Sequence, residues 1–272
     1  MITVTGATGN VGRPLVELLV AAGEKVTAVS RNAAEFPAGV THVQADLAEP
    51  ATLKPAFEGA EALFVLTAGD FIVNGDMDAV MEAARASGIR KVVLLSSQGV
   101  GTGRHNPNLE EAVRRSGLEW TMLRPGNFAS NAYGWAESVR TRRVVEAPFG
   151  DTALPAVDPA DIAAVAAAAL LEPGHAGEVY TLTGPAAIAP RQQAAAIADA
   201  IGGPVAFTEL TREEARTRML GFMPERVVEA TLQVLGEPSP AEQAPSPDIE
   251  RVLGRPAAPF ADWAKRNAPA FR

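Results

Sequence analysis

Three glycines stand at a spacing of three near the start of the chain, Gly6, Gly9 and Gly12, directly after the apolar segment Ile2–Thr5. The first permits a tight turn, the second lets the backbone approach a pyrophosphate, and the third lets a helix pack against the strand. Backbone N–H groups at the helix start favour phosphate. Because an apolar strand precedes this turn and an amphipathic helix follows it, the pattern predicts dinucleotide binding, with an ordinary strand–helix turn as the alternative. The predicted cofactor-binding residues here are Gly6, Thr8, Gly9, Asn10, Val11 and Gly12.

Residues after the second and third predicted strands are candidates for the adenosine end of the cofactor. At the end of the second strand, a carboxylate favours NAD and an arginine favours the 2′-phosphate of NADP. Arg31 stands there without an acidic neighbour, and a guanidinium can bind phosphate through two hydrogen bonds. We therefore expect NADP(H), with NAD(H) less favoured; a solvated loop charge is the alternative. Asp46 and Leu47 are placed to contact adenine, although Asp46 could instead cap a helix.

Composition narrows the remaining chemistry. The 272-residue chain has no cysteine, and its three histidines lie far apart, which argues against disulfides, thiolate nucleophiles, iron–sulfur clusters and metal sites. The formal charge of −8 argues against a nucleic-acid partner. The longest apolar stretch, 162–171, is too short to span a bilayer, and no signal-like leader precedes the first strand. We expect a soluble cytoplasmic protein.

The alternation of strands and helices over 1–125 indicates an α/β fold with a Rossmann-type, doubly wound parallel sheet. The predicted strands are 2–5, 25–30, 41–45, 62–67, 91–96, 119–123 and 178–183, with a helix at 77–86. The dinucleotide-binding domain would span 1–125, completed by about 158–183. A smaller, mainly helical C-terminal lobe would comprise 126–157 and 184–272, with a short strand at 205–208, and would bind substrate.

Further motifs extend the pattern: Thr-Gly-Ala-Thr-Gly-Asn-Val-Gly at 5–12, Arg-Asn at 31–32, Ala-Asp-Leu at 45–47, Ser-Ser at 96–97 and Leu-Arg-Pro-Gly-Asn-Phe at 123–128. Together they resemble the NmrA-like branch of atypical short-chain dehydrogenases/reductases, and most closely its NADPH:quinone oxidoreductase type 2 subgroup. The resemblance covers nearly the whole chain. It implies that the loop after the sixth strand lies beside the nicotinamide, and that the end of the fourth strand lies near the diphosphate or nicotinamide ribose. The residues concerned are Pro125, Gly126, Asn127 and Phe128 in the first case and Thr67 and Ala68 in the second.

The chain departs from the family pattern at the catalytic acid. Ordinary members reduce carbonyls with a Ser-Tyr-Lys set, in which tyrosine donates the proton. No Tyr-x-x-x-Lys exists anywhere in this sequence, and Thr102 and Asn106 stand where the tyrosine and lysine are expected. Ser97 alone remains, with Gln98 beside it. Ser97 is also expected to lie under the nicotinamide.

The absence of the tyrosine acid restricts the class of hydride acceptor that we expect. Hydride delivery to a simple ketone forms a strongly basic alkoxide and needs a positioned acid, worth roughly 10²–10⁴-fold. Hydride delivery to a quinone forms a phenolate-like anion, closer in pKa to tyrosine at about 10. Water, Ser97 or Gln98 could stabilise that anion. His105 is a candidate proton source because imidazole titrates near neutrality; an exposed loop histidine is the alternative.

Aromatic residues in the second lobe are candidates for binding a flat acceptor by stacking. The predicted substrate-binding residues are Phe128, Tyr133, Trp135 and Phe222, and Phe149 and Met223 could close the same site. The alternative is that these side chains form the core of the lobe. Arg142 and Arg143 face either solvent or an anionic substrate.

Three functions fit these observations. The first is an NADPH-dependent oxidoreductase that transfers hydride directly to a quinone or similar conjugated acceptor, without a flavin or metal. The second is a non-catalytic NADP(H)-binding redox sensor of the NmrA type, which would act through a protein partner. The third is a biosynthetic reductase or isomerase for a polyketide-like aromatic. The sequence is also compatible with a homodimer.

Overall fold

The computed structural model describes residues 1–67, 69 and 71–272, which form two compact units. The first unit comprises Met1–Pro125, Pro159–Leu182 and Asp248–Arg255. The second comprises Gly126–Asp158, Thr183–Pro247 and Pro256–Arg272. The chain therefore leaves the first unit and returns to it twice.

The strands are β1 Ile2–Thr5, β2 Val26–Ser30, β3 Val40–Gln44, β4 Ala62–Leu66, β5 Lys91–Leu95, β6 Glu119–Pro125, β7 Val144–Pro148, β8 Val179–Leu182 and β9 Ala206–Leu210. The helices are α1 Gly12–Ala21, α2 Lys54–Phe57, α3 Phe71–Asn74, α4 Met77–Ala86, α5 Gln98–Gly101, α6 Asn108–Arg115, α7 Ala136–Arg142, α8 Pro159–Leu171, α9 Pro190–Ile201, α10 Arg212–Met219, α11 Glu225–Gly236, α12 Pro240–Gln243, α13 Asp248–Leu253 and α14 Phe260–Arg266. Short 3₁₀ segments occupy Pro50–Leu53, Ala129–Trp135 and Ala268–Phe271.

A parallel sheet organises the first unit, with the strand order β3-β2-β1-β4-β5-β6-β8 among the described residues. Strands β1 and β2 are buried along their whole length, as expected when helices cover both faces of a parallel sheet. The order reverses between β1 and β4, and ligands of such sheets bind beyond the carboxyl ends of the strands at that place. The predicted Rossmann-type fold is confirmed.

The second unit contains a small parallel sheet in which β7 pairs with β9, Val145 opposite Phe207. The sequence pattern predicted the region of β9 but not β7. Strand β7 is short and begins after Arg143, whose backbone adopts a left-handed conformation at the end of α7. A five-residue strand whose partner lies some sixty residues away gives little local signal.

Helix α13 belongs to the first unit, although the sequence placed the whole of 184–272 in the second lobe. The helix covers β8, the edge strand of the large sheet. Ile249 is buried, and the Asp248 carboxylate accepts a hydrogen bond from the Thr181 amide at 2.7 Å. Arg251 also lies over the Tyr180 ring. These contacts protect a sheet edge that would otherwise expose backbone groups, and they are tertiary, so a local pattern could not show them.

Candidate functional site

The glycine turn between β1 and α1 is constrained by its own backbone. A Cβ on Gly12 would lie 2.2 Å from the Gly6 carbonyl oxygen, so no larger residue fits there without moving the backbone. Gly6 adopts φ +62°, and a Cβ there would lie 2.9 Å from Leu66 of β4. The Gly9 amide donates to the Gly6 carbonyl at 3.0 Å. Gly6 and Gly12 thus have a steric reason, which the spacing alone could only suggest.

Helix α1 begins without a side-chain cap at Val11. Uncapped N–H groups and the positive end of the helix dipole favour an anion at this place. Val11 and Gly12 are buried, whereas Thr8, Gly9 and Asn10 are exposed. The turn therefore has a buried anchoring half and an outer half that a phosphate can approach.

A cavity of about 220 Å³ opens at this carboxyl edge of the sheet. It brings together six of the predicted cofactor residues, namely Gly6, Thr8, Gly9, Arg31, Asp46 and Leu47. Its wall also contains residues that the sequence did not single out: Thr5, Val29, Ser30, Ala45 and Leu66. Thr5 accepts a hydrogen bond from the Leu66 amide at 2.9 Å and so joins the ends of β1 and β4 beneath the cavity.

Arg31 is held in place through its backbone. Its carbonyl accepts a hydrogen bond from Gln44 Nε2 at 2.9 Å. Ser30 Oγ donates to the Asn32 carbonyl at 2.7 Å and lies 2.8 Å from His42 Nε2. Because the serine proton is used by Asn32, Ser30 accepts from His42, whose Nε2 therefore carries hydrogen. Over the part of the chain that the structure describes, the exposed Arg31 guanidinium has no carboxylate partner.

Asp46 lies at the cavity wall but uses one oxygen locally. Its Oδ1 accepts a hydrogen bond from the Ala48 amide at 3.0 Å, which closes an Asx turn. The following 3₁₀ segment begins after Glu49, which is its N-cap residue. The N-cap alternative for Asp46 is therefore wrong, because the helical segment starts too late for Asp46 to cap it. Its contact with adenine stays a prediction.

A second strand–helix turn lies between β5 and α5 in the same unit. Ser97 is the N-cap residue of α5, and its Oγ accepts a hydrogen bond from the Gly99 amide at 3.1 Å. His105 Nδ1 lies 3.0 Å from the same oxygen. The His105 ring occupies the space where a Cβ on Gly99 would stand, at 2.5 Å from Nδ1. His105 is exposed, yet it is hydrogen-bonded to Ser97, so it is more than the solvated loop residue of the alternative interpretation.

The loop that carries His105 folds back onto α5. The amides of Arg104 and His105 both donate to the Gly99 carbonyl, at 2.8 and 2.9 Å. Thr102 ends α5, and its Oγ1 donates to the same carbonyl at 3.4 Å. Asn106, at the position expected for lysine, closes a turn by accepting from the Asn108 amide. His105, rather than a tyrosine, therefore contacts Ser97. Gln98, the other predicted catalytic residue, is the first residue of α5.

A buried carboxylate next to this turn escaped the sequence analysis. Glu110 on α6 is fully buried. Its oxygens accept hydrogen bonds from Ser96 at 2.6 Å, from Arg124 at 2.8 and 2.7 Å, and from Arg114 at 2.9 Å. Burial raises the pKa of Glu110, but these hydrogen bonds and the Arg124 charge outweigh it, so the pKa lies below the ordinary value. The signal in the sequence was Arg124 within the apolar strand β6, because a charged side chain there needs a partner of opposite charge.

Of the residues predicted to lie beside the nicotinamide, Pro125 belongs to the first unit, and Gly126, Asn127 and Phe128 belong to the second. The Asn127 carbonyl accepts from the Val157 amide at 2.8 Å, and Phe128 forms a β-bridge to Val157. Asn127 Oδ1 accepts from Asn131 at 2.9 Å. Pro125 is buried at the end of β6, and Gly126 follows it. At the end of β4, Thr67 is half-buried and does not line the cavity, and Ala68 lies outside the described residues.

The predicted substrate-binding aromatics have different surroundings within the second unit. Tyr133 packs against Trp263 and Phe271, and its hydroxyl donates to Asn267. Trp135 packs against the core of the unit. Phe149 and Met223 pack in a separate small cluster with Leu210 and Leu232. Phe222 is 71% exposed. Core packing thus accounts for several of these side chains, whereas Phe222 is open to solvent.

Arg142 and Arg143 also differ. Arg142 pairs with Glu146, which in turn binds Arg218. Hydrogen bonds from Arg218 and Arg142 lower the pKa of Glu146. Arg143 ends α7 with φ 54° and is exposed.

The described ranges of the chain contain neither a candidate metal site nor a helix that could span a membrane. His, Asp and Glu side chains there do not gather in any group of three or more that could ligate a metal ion. Across those same ranges, every helix is too short or too polar to cross a bilayer.

Comparison with known proteins agrees with this geometry. A family model described as NAD(P)H-binding matches residues 6–173. The chain is 39% identical to (4-alkanoyl-5-oxo-2,5-dihydrofuran-3-yl)methyl phosphate reductase of Streptomyces griseus subsp. griseus, over 100% of this chain and 99% of that protein. It is 34% identical to NAD(P)H azoreductase of Xenophilus azovorans, again over 100% and 99%.

Solved structures with a similar fold include complexes with NADPH and NADP. The NADPH complex of quinone oxidoreductase QOR2 from Escherichia coli superposes with a TM-score of 0.79 at 26% identity, covering 98% of this chain and 99% of that one. NmrA, a negative transcriptional regulator solved with NADP, shares the fold with a TM-score of 0.76 at 20% identity, covering 98% and 95%. The chain therefore belongs to the NAD(P)H-binding, NmrA-like family of atypical short-chain dehydrogenases/reductases, close to quinone oxidoreductase 2.

Proposed function

We propose that this protein is an NADPH-dependent reductase that delivers hydride directly to a conjugated acceptor, such as a quinone or an acylated unsaturated lactone. The observation that carries the proposal is the hydrogen bond between Ser97, which follows β5, and His105, which lies on the loop after α5, in a chain without the family's tyrosine and lysine. It lies in the same unit as the glycine turn and its cavity. The reduced nicotinamide, when bound, would supply the hydride.

The names of the relatives support a conjugated acceptor. The Streptomyces relative reduces a dihydrofuranone that carries an alkanoyl group, the Xenophilus relative reduces azo compounds, and the Escherichia coli relative is a quinone oxidoreductase. In each class the added hydride leaves a charge that the conjugated system delocalises. Such an anion needs less help from a strong acid than a simple alkoxide does.

Ser97 and His105 would handle that anion and its proton. Ser97 Oγ already accepts from the Gly99 amide, so its own proton is available for a hydrogen bond to the acceptor oxygen or to His105. His105, when protonated, can transfer a proton through or beside Ser97, because its Nδ1 contacts Oγ at 3.0 Å. The acceptor thus gains one hydride and one proton, and the imidazole is reprotonated from solvent. Gln98 is proposed as a further hydrogen-bond donor.

The cofactor would bind along the first turn and the cavity. Gly6, Thr8, Gly9, Asn10 and the buried Val11–Gly12 pair are proposed for the diphosphate, and Asp46 and Leu47 for adenine. Arg31 is proposed to bind the 2′-phosphate, which makes NADP(H) the preferred nucleotide. The NADPH complex of QOR2 supports this preference. Thr67, Pro125, Gly126, Asn127 and Phe128 stay predictions for the nicotinamide end, as do Tyr133, Trp135 and Phe222 for substrate.

The test is turnover. Purified protein should oxidise NADPH when given a benzoquinone, a naphthoquinone, an azo dye or an acylated unsaturated lactone, and should leave a simple ketone unreduced. Tight binding of NADPH without turnover of any acceptor in that panel would contradict the proposal. Equal affinity for NADH and NADPH would reject the assignment of Arg31.

The alternative is a non-catalytic regulator that responds to the NADP(H) redox state. The missing Tyr-x-x-x-Lys motif suits it equally well, and the fold is shared with NmrA. A pull-down in the presence of NADP or NADPH distinguishes the two. A partner retained with only one form, together with no turnover, would favour the regulator.

A further inference from the structure

Glu110 is a buried carboxylate whose partners come from separate segments of the chain. It stands on α6 and is bound by Ser96 at the end of β5 and by both Nε and Nη2 of Arg124 on β6. Ser96 follows β5 and Arg124 lies on β6, and these two strands pair in the large sheet. Bidentate arginine–carboxylate pairs fix orientation as well as distance. One carboxylate therefore joins the ends of two neighbouring strands.

Each of these partners adjoins a residue of the proposed site. Ser96 immediately precedes Ser97, and Arg124 immediately precedes Pro125. The Arg124 guanidinium also lies against α5, since Nη1 would be 3.1 Å from a Cβ placed on Gly101. Glu110 itself follows the loop that carries His105. The network thus adjoins Ser97 along the chain and lies against α5, without including Ser97 or His105.

The network has little freedom to shift. Glu110 is fully buried, and an uncompensated charge there would be strongly unfavourable, so the bidentate Arg124 must stay in place. The short distance from Ser96 Oγ to Oε1, 2.6 Å, is typical of a hydrogen bond to an ionised carboxylate. The cluster is therefore a rigid support rather than a set of exposed ion pairs.

We propose that Glu110 is a positioning residue, which acts through Ser96 and Arg124 to hold Ser97 and the end of β6 in the geometry needed for hydride and proton delivery. The proposal rests on the proposed function for its kinetic consequences. Its structural consequence, the placement of Ser97 against His105, does not depend on turnover.

Arg114 provides a matched control in the same cluster. It binds Glu110 at 2.9 Å from four residues along the same helix, and its guanidinium lies over the Trp120 ring near the beginning of β6, away from the strand ends that adjoin the proposed site. Glu110→Gln should lower kcat by about tenfold or more, because small displacements of reacting groups cost up to about a hundredfold. Its Kd for NADPH should stay within about twofold of the wild-type value. Arg114→Met should leave both quantities within about twofold.

A second measurement does not need turnover. The chain has three histidines, so the His105 ring signals in an NMR spectrum can be assigned with a His105→Gln variant. Glu110→Gln and the milder Ser96→Ala should both shift these signals, and Arg114→Met should not. Ser96→Ala loses a single hydrogen bond and remains informative if Glu110→Gln does not fold.

The outcomes separate the two proposals. Unchanged His105 signals in Ser96→Ala, or equal loss of kcat in the Glu110 and Arg114 variants, would overturn the positioning role. A fall in NADPH affinity that parallels the fall in kcat would overturn it too. If the wild-type protein reduces no acceptor, the proposed function fails, while the NMR comparison still decides whether Glu110 positions Ser97 and His105.

Discussion

Two strand–helix turns at the carboxyl edge of one sheet are built in different ways. Between β1 and α1, backbone contacts make the turn: Gly12 leaves no room for a Cβ, and the helix start has no side-chain cap. Between β5 and α5, side chains make it: Ser97 caps the helix and contacts His105. An uncapped turn offers its N–H groups to an anion, whereas a capped turn offers a hydroxyl. The first fits the proposed cofactor site, and the second fits the proposed proton transfer.

The largest effect is expected from a substitution that disrupts the glycine turn between β1 and α1. In Gly12→Ala, the added methyl group would meet the Gly6 carbonyl at 2.2 Å, so the turn must move. NADPH binding should fall below detection in calorimetry. Overpacking of this kind also destabilises by roughly 1–3 kcal/mol. Gly203→Ala is the control, because a Cβ there meets nothing within 4 Å; equal loss of binding in both variants would refute the comparison.

The second largest effect is expected when the Arg31 charge is removed from the cavity. Arg31→Ala should weaken NADPH binding by roughly ten- to a hundredfold, since hydrogen bonds to charged groups contribute about 1.5–3 kcal/mol. NADH lacks the 2′-phosphate, so its affinity should stay nearly constant. Titration of each reduced cofactor into both proteins measures the difference. Parallel weakening of the two nucleotides would show that Arg31 does not read the 2′-phosphate.

The third prediction tests the side-chain turn. His105→Gln and Gly99→Ala should both lower kcat by about tenfold, the first by removing the imidazole and the second by displacing it. NADPH affinity should not change. His175→Gln is the matched control, because His175 Nδ1 also contacts a hydroxyl, that of Tyr180 at 2.7 Å, outside the proposed site. Full activity in His105→Gln would exclude the histidine as proton donor.

The smallest effect concerns acid stability. The pKa of Glu110 is lowered in the folded protein, so its charged form stabilises the fold above the ordinary glutamate pKa, about 4.3. This contribution should be lost as the pH falls from there through the folded-state pKa. Thermal melts of wild type and Glu110→Gln should differ at neutral pH and converge in acid. A gap that widens as pH falls would contradict the assignment.

Much of the proposed cofactor site could be assembled from the sequence because its signal is local. Gly6, Gly9 and Arg31 each follow a strand within a few residues, and the structure places them around one cavity. By contrast, the pairing of β7 with β9 could not be predicted, since Val145 and its partner Phe207 are far apart in the sequence.

The sequence predicts the parallel sheet and the glycine turn, because strand patterns and glycine spacing are properties of residues close together in the chain. The absence of a Tyr-x-x-x-Lys motif is likewise visible in the sequence. The folded structure was needed to show that His105 contacts Ser97, that Glu110 joins the ends of β5 and β6, and that α13 covers β8. These contacts depend on burial and on side chains from distant segments, whose distance and orientation exist only once the chain has folded.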